Sequence, residues 1–206
     1  MAGMNRSSIH HTDSAATKVV AKGSAVRRSG LARVGIIVAL AARWVGSPAA
    51  EAPSASVGLT LQHGVLTNEA AHYSLTVPPE WSLREGSTPE QAIVMHEASG
   101  ASLFVALKTE ASGDLSAEFQ GLKLALPFLG GSWHRVSDGW RRVGGKKAGE
   151  VIASRTYPNA EPLDQWNLVT VVHGRTYLLG GEVPRSQVAA RWPELVAIVE
   201  SITWRK

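Results

Sequence analysis

The sequence predicts an α+β fold: an antiparallel sheet of about six to seven strands with two main helices packed on it. Three observations lead there. The run Tyr73-Ser74-Leu75-Thr76-Val77 alternates apolar and polar side chains, the period of a strand with one buried face. Six further stretches carry strand patterns and are separated by short turns holding Gly, Pro or Asn, so successive strands pair antiparallel. Two stretches carry helical periodicity instead. The resulting order, strands, helix, four strands, helix, is that of an α+β sandwich.

Residues 1–25 are rich in Ser, Ala, Thr and Gly without apolar periodicity and read as a disordered segment. Residues 26–49 read as an export signal: Arg27-Arg28 precede the apolar run Val34–Ala42, and Ser47-Pro48-Ala49 supplies small residues for cleavage. An apolar run of about ten residues is too short for a membrane span, which needs ~20. Cleavage near Ala49 is therefore expected to leave no stable span. Residues 50–64 read as a flexible linker, and the folded domain is expected over 65–206.

Pro78 closes the tyrosine strand because proline cannot donate to a sheet ladder, and Trp81 is expected to fold back on the core. Strands follow at Gln91–His96 and Ala101–Thr109, joined by a turn at Ser99-Gly100. Asp114 is an N-cap for a helix whose stripe is Leu115, Phe119, Leu122 and Leu126, and Pro127 with Gly130-Gly131 stops it. Strand patterns return at Ser132–Val143, Gly149–Tyr157, Gln165–His173 and Arg175–Glu182, with His173-Gly174 in the tightest turn. The last helix spans Pro184 to about Ile202, and Pro193 is expected to open a second helical segment there.

Charge and cysteine content exclude several functions. The formal net charge is +4, but residues 1–50 hold seven Lys/Arg against Asp13 alone, and the remainder is slightly acidic. Nucleic-acid binding is therefore not expected. The chain has no cysteine, which rules out a disulfide framework, a thiol nucleophile, a Cys-ligated metal and a lipidated cysteine.

Four segments together resemble the PsbP/DcrB-like group of small bacterial envelope proteins over roughly residues 65–204. They are the tyrosine strand ending in Pro78-Pro79-Glu80-Trp81, the turn Val143-Gly144-Gly145-Lys146-Lys147-Ala148-Gly149, the strand end Leu178-Leu179-Gly180-Gly181-Glu182-Val183-Pro184, and the closing helix Ile198-Val199-Glu200-Ser201-Ile202. The resemblance implies a PsbP-like sandwich and a mostly non-enzymatic role as accessory subunit, envelope component or binding adaptor. It carries over no metal site and no cofactor.

The sequence carries no Gly-x-Ser-x-Gly elbow, His-Glu-x-x-His helix or Ser-x-x-Lys pair. Gly139–Lys147 is glycine- and lysine-containing but lacks the Gly-Lys-Ser/Thr ending of a phosphate loop, so a β-turn is expected there. His63, His72, His96, His134 and His173 show no ligand spacing along the chain, and no metal site is expected. Trp133 and Trp140, with Arg141, Arg142 and Arg175, are the candidate partner-binding residues, since tryptophan and arginine dominate recognition surfaces. The expected function is an exported, non-enzymatic envelope domain that binds a protein or envelope component, without cofactor. Two alternatives stand beside it: an extracytoplasmic hydrolase or metal-dependent enzyme with a His/carboxylate site, and a cytosolic adaptor for secreted proteins.

Overall fold

Three two-residue turns set the frame. His63-Gly64, Gly144-Gly145 and His173-Gly174 all have positive φ, between 50° and 76°. Such pairs match the right-handed twist of the strands they join and close tight hairpins. A computed structural model describes residues 58–108 and 110–206. The expected disordered segment 1–25 and export signal 26–49 lie outside the described residues.

His63-Gly64 joins β1 (Leu59–Gln62) to β2 (Val65–Asn68), which pairs with β3 (Tyr73–Thr76). A short C-terminal strand, β11 (Thr203–Trp204), completes this four-stranded sheet in the order β1-β2-β3-β11. The second sheet has seven strands: β4 (Ser82–Glu85), β5 (Gln91–His96), β6 (Ala101–Lys108), β7 (Ser132–Val143), β8 (Lys146–Thr156), β9 (Leu163–Val172) and β10 (Arg175–Pro184). Its order is β4-β5-β6-β10-β9-β8-β7, and every pairing in both sheets is antiparallel.

Helix α1 (Leu115–Ala125) begins as the sequence predicts, with the Asp114 carboxylate accepting from the Ser116 amide at 2.8 Å. It runs into a 3-10 turn, Leu126–Phe128, that carries Pro127. Helix α2 (Val188–Glu200) follows a 3-10 turn at Arg185–Gln187.

The large sheet separates two cores. On one face, Leu103, Val105, Trp166, Leu168, Tyr177 and Leu179 meet the small sheet and the Leu195, Ile198 and Val199 stripe of α2. Full burial of one such aliphatic side chain is worth roughly 1.5–3 kcal/mol. On the other face, Val151 and Val169 meet Phe119 and Leu126 of the α1 segment. The α1 contact is close because Gly149 leaves its side-chain position to the Phe119 ring.

The α+β class holds, and the elements differ from the predicted ones in five respects. The tyrosine strand β3 joins the separate small sheet, and the seventh strand of the large sheet is β4, which the sequence did not reveal. Residues 59–62 form β1 inside the stretch read as linker, so the folded domain starts before residue 65. Strand β11, just past the helix end expected at about Ile202, was not foreseen. Finally, Pro193 lies inside α2 and does not open a second segment. It removes one amide from the hydrogen-bond ladder, but Ala189, whose carbonyl is freed, and Pro193 are both exposed, so the carbonyl is open to solvent.

Tryptophan fills seams, as its volume allows. Trp81 is buried and donates from Nε1 to Glu194 of α2 at 2.9 Å. Trp166, between α2 and the sheet, donates to Glu150 at 2.6 Å and packs 6.0 Å from Trp192. Buried His96 lies 3.2 Å from Glu80, and Arg191 reaches both Glu80 and Glu194, which fastens α2 across β5. The His96 hydrogen bond, and then Arg191, hold the Glu80 carboxyl below its usual range.

Candidate functional site

The hairpin turns that build the sheets also assemble a groove. The β7–β8 turn at Gly144-Gly145 and the β9–β10 turn at His173-Gly174 come together beside β11. A cavity of about 340 Å³ opens there, between Gly144, Lys146, His173, Trp204 and Lys206. On the far side of His173 a second, of about 290 Å³, is lined by His72, Arg175, Tyr177, Arg205 and Lys206. His173 and Lys206 line both, so the two cavities are halves of one groove.

The floor is aromatic and hydrogen-bonded to the backbone around it. Tyr177 and Trp204 rings lie 4.6 Å apart, and Tyr73 meets each of them edge-on at 6.5 Å. The Tyr177 hydroxyl donates to the Ala71 carbonyl at 2.9 Å, and the Trp204 indole donates to the Val143 carbonyl at 3.1 Å. Burial pushes the Tyr177 phenol up and the Tyr73 phenol far up, so both keep their protons at ordinary pH.

The rim is cationic. Lys146, Arg175, Arg205 and Lys206 stand around the opening with His72 and His173. Glu69 answers one of these charges, at 2.6 Å from Arg205. His72 Nδ1 lies 3.3 Å from the Lys206 main-chain oxygen. Guanidinium and ammonium groups over an aromatic floor suit a carboxylate or phosphate. Among the described residues no group of three His, Asp or Glu is placed to hold a metal ion.

The five candidate residues named from the sequence are not brought together. Arg175 is on the groove. Arg142 is exposed on the β7–β8 hairpin, where it donates to the Gly145 carbonyl at 2.9 Å. Arg141 turns to the opposite side of β7, bonding Glu150 at 3.0 Å and Glu200 of α2 at 2.9 Å with its guanidinium 4.5 Å over Trp166. That is a packing role. Trp133 is half-buried against the α1 core, and Trp140, 45% exposed, leans on Phe119 at 4.7 Å.

Trp133 and Trp140 do share a face, which simple alternation over seven residues forbids. A bulge between Arg135 and Ser137 inserts Val136 and restores the phase, so the two tryptophans pair with Arg155 and Gly149 on one side of β8. They are not an exposed pair, however, since Trp133 is packed inward. Sequence reasoning missed Lys146, His173, Arg205 and Lys206. The available signal was the pair of turns, each carrying a cation beside it: Gly144-Gly145-Lys146 and His173-Gly174-Arg175.

No family model matches the chain, and neither does any curated protein. Among solved structures, the chain is similar to the cyanobacterial PsbP of Synechocystis, with TM-score 0.52, 11% identity, and coverage of 77% of this chain and 99% of that one. It is also similar to LpqN, involved in cell envelope biogenesis in Mycobacterium tuberculosis, with TM-score 0.53, 17% identity, and coverage of 65% and 83%. A structure from Bacteroides thetaiotaomicron matches with TM-score 0.49 and 14% identity over 66% of this chain, which spans about half (46%) of that protein. Among the described residues no helix is long and apolar enough to cross a membrane. Identities this low speak for fold alone, and the fold of the described domain is the PsbP-like α+β sandwich that the sequence resembles.

Proposed function

We propose that this protein is an exported, non-enzymatic accessory domain of the cell envelope that binds an acidic protein or envelope component in the groove between its hairpin turns. The observation that carries the reading is the convergence of Lys146, Arg175, Arg205 and Lys206 on an open groove with an aromatic floor. Carboxylates or phosphates meeting this rim gain charge-assisted hydrogen bonds, each worth roughly 1.5–3 kcal/mol. The shared fold with LpqN, involved in cell envelope biogenesis, supports the address. The export pattern Arg27–Ala49 supports it independently.

The test is capture from envelope extract by the tagged, secreted chain, with mass spectrometry of its N-terminus and with the double variant Lys146→Glu/Arg175→Glu in parallel. The expected result is cleavage near Ala49 and one saturable partner that the double variant loses. An intact N-terminus in the cytosol, or equal capture by both forms, overturns the reading. Turnover in a hydrolase screen that a single groove substitution abolishes would replace it with an enzyme.

A further inference from the structure

Four large apolar side chains stand in solvent on α1, the 3-10 turn that follows it and the β7 strand that this turn contacts, and none of them lines the groove. Leu124 is 71% exposed near the end of α1, and Phe128, four residues on, is 75% exposed. Val136 occupies the β7 bulge at 63%, and Trp140 lies farther along the same strand at 45%. Single exposed apolar residues are ordinary, but four on adjoining elements are not.

Cations are interleaved with them. Lys147 Nζ sits 4.0 Å over the Trp140 ring, which packs 4.7 Å from Phe119. Lys123 Nζ sits 4.6 Å over the other end of that contact, the Phe119 ring, and also reaches Asp138 at 3.7 Å. Arg135, beside Val136, closes the ladder on Asp138 at 3.0 Å. Three cations thus stand against one carboxylate along the α1–β7 seam. Lys147 belongs to this rim and its neighbour Lys146 to the groove because successive residues of β8 point to opposite faces.

Shape selects the occupant. A partner helix needs a concave apolar trough to close around its anchors, whereas Leu124, Phe128, Val136 and Trp140 stand out at 45–75% exposure. An added strand would have to pair with β7, whose bulge and charged Arg135, Arg141 and Arg142 are the devices that blunt an edge. A lipid interface has no such requirement. It deforms around protruding side chains, accepts tryptophan at headgroup level, and lets lysine and arginine reach phosphates while their stems stay apolar.

We propose that the α1–β7 rim is a lipid-docking surface that rests the domain on an anionic bilayer. Leu124, Phe128, Val136 and Trp140 enter the headgroup region, and Lys123, Arg135 and Lys147 lie at its phosphates. This goes beyond the groove's partner and does not depend on it.

The chain has no cysteine, so Val136→Cys places a single environment-sensitive fluorophore on the rim of the full chain. Asn159→Cys, in the β8–β9 loop, is the reference position. With vesicles of mixed phosphatidylglycerol and phosphatidylcholine, the label at 136 shifts to the blue and the label at 159 does not. Pure phosphatidylcholine or high salt weakens the response. Leu124→Ser/Phe128→Ser in the labelled background lowers the lipid affinity at least about tenfold, while the melting temperature holds because both residues are exposed. Lys146→Glu/Arg175→Glu leaves the response in place, which separates rim from groove. No shift at 136, an equal shift at 159, equal binding to neutral and anionic vesicles, or indifference to Leu124→Ser/Phe128→Ser overturns the proposal. A leader-tethered chain whose rim stays in water gives the first of these outcomes.

Discussion

Arg155 is the residue whose removal most directly probes how α1 is held on the large sheet. It is fully buried on β8, at 0% exposure, yet carries a guanidinium. Its Nη2 donates to the Leu126 carbonyl at 2.7 Å and its Nη1 to the Gly130 carbonyl, both at the end of the α1 segment. Its Nε donates to Gln165 at 3.0 Å, and Gln165 in turn donates to Glu182 at 2.6 Å. Burial pulls the guanidinium below its ordinary range, with Tyr157 and Glu182 pulling the other way, but arginine stays charged in proteins. Arg155→Met keeps most of the stem volume and deletes every donor. The Leu126 carbonyl and the Gln165 side-chain oxygen, both in buried bonds, then lose their partner, at about 1–3 kcal/mol for each buried group left unsatisfied. Relief of the buried charge offsets part of this. The expected net loss is about 3 kcal/mol, which for a domain of this size lowers the melting temperature by about 6–12 °C. Thermal melting by circular dichroism reads the total, and hydrogen exchange at Leu126–Leu129 reads the location. A melting temperature that stays level or rises would refute the reasoning, because it would mean that desolvation of the guanidinium outweighs the bonds it makes.

Two further outcomes are expected. Gly149→Ala places a methyl where the Phe119 ring lies, so α1 must shift; the cost should be about 1–3 kcal/mol by chemical denaturation, and an unchanged midpoint would show that α1 moves freely. Burial pushes the Glu118 carboxyl up, but Lys108 Nζ at 2.7 Å and the Ser112 amide at 2.6 Å outweigh it and hold the group below its ordinary range. A carboxyl lowered on folding adds stability that is complete above its unfolded value of about 4.3 and is lost as pH falls through the lower folded value. The advantage of wild type over Glu118→Gln should therefore shrink along the acid limb of a stability–pH curve, and a gap independent of pH would show that the ion pair contributes nothing.

The groove was only partly legible because its residues come from four distant segments. Arg175 was visible as a cation beside a tight turn, but Lys146, Arg205 and Lys206 became its neighbours only through the pairing of β11 with β3 and the docking of the two sheets. Trp133 and Trp140 were marked by residue type, and their shared face depended on one inserted residue, Val136. Arg141 and Arg142 are adjacent and chemically identical in the sequence. Strand alternation sends the first into a packed bridge to α2 and leaves the second on the hairpin in solvent.

By itself the sequence determined the class of fold, the Asp114-capped helix and most strand bounds, because those depend on periodicity and turn residues that act over a few positions. It also supplied the turns at Gly144-Gly145 and His173-Gly174, since such a pair with positive φ is a local requirement, but not the one at His63-Gly64, inside the stretch read as linker. Only the tertiary structure decided that the strands divide into two sheets, that Pro193 could be accommodated inside α2, and which charged groups face one another. Those outcomes depend on which surfaces lose water together, and packing between residues a hundred positions apart leaves no periodic mark along the chain.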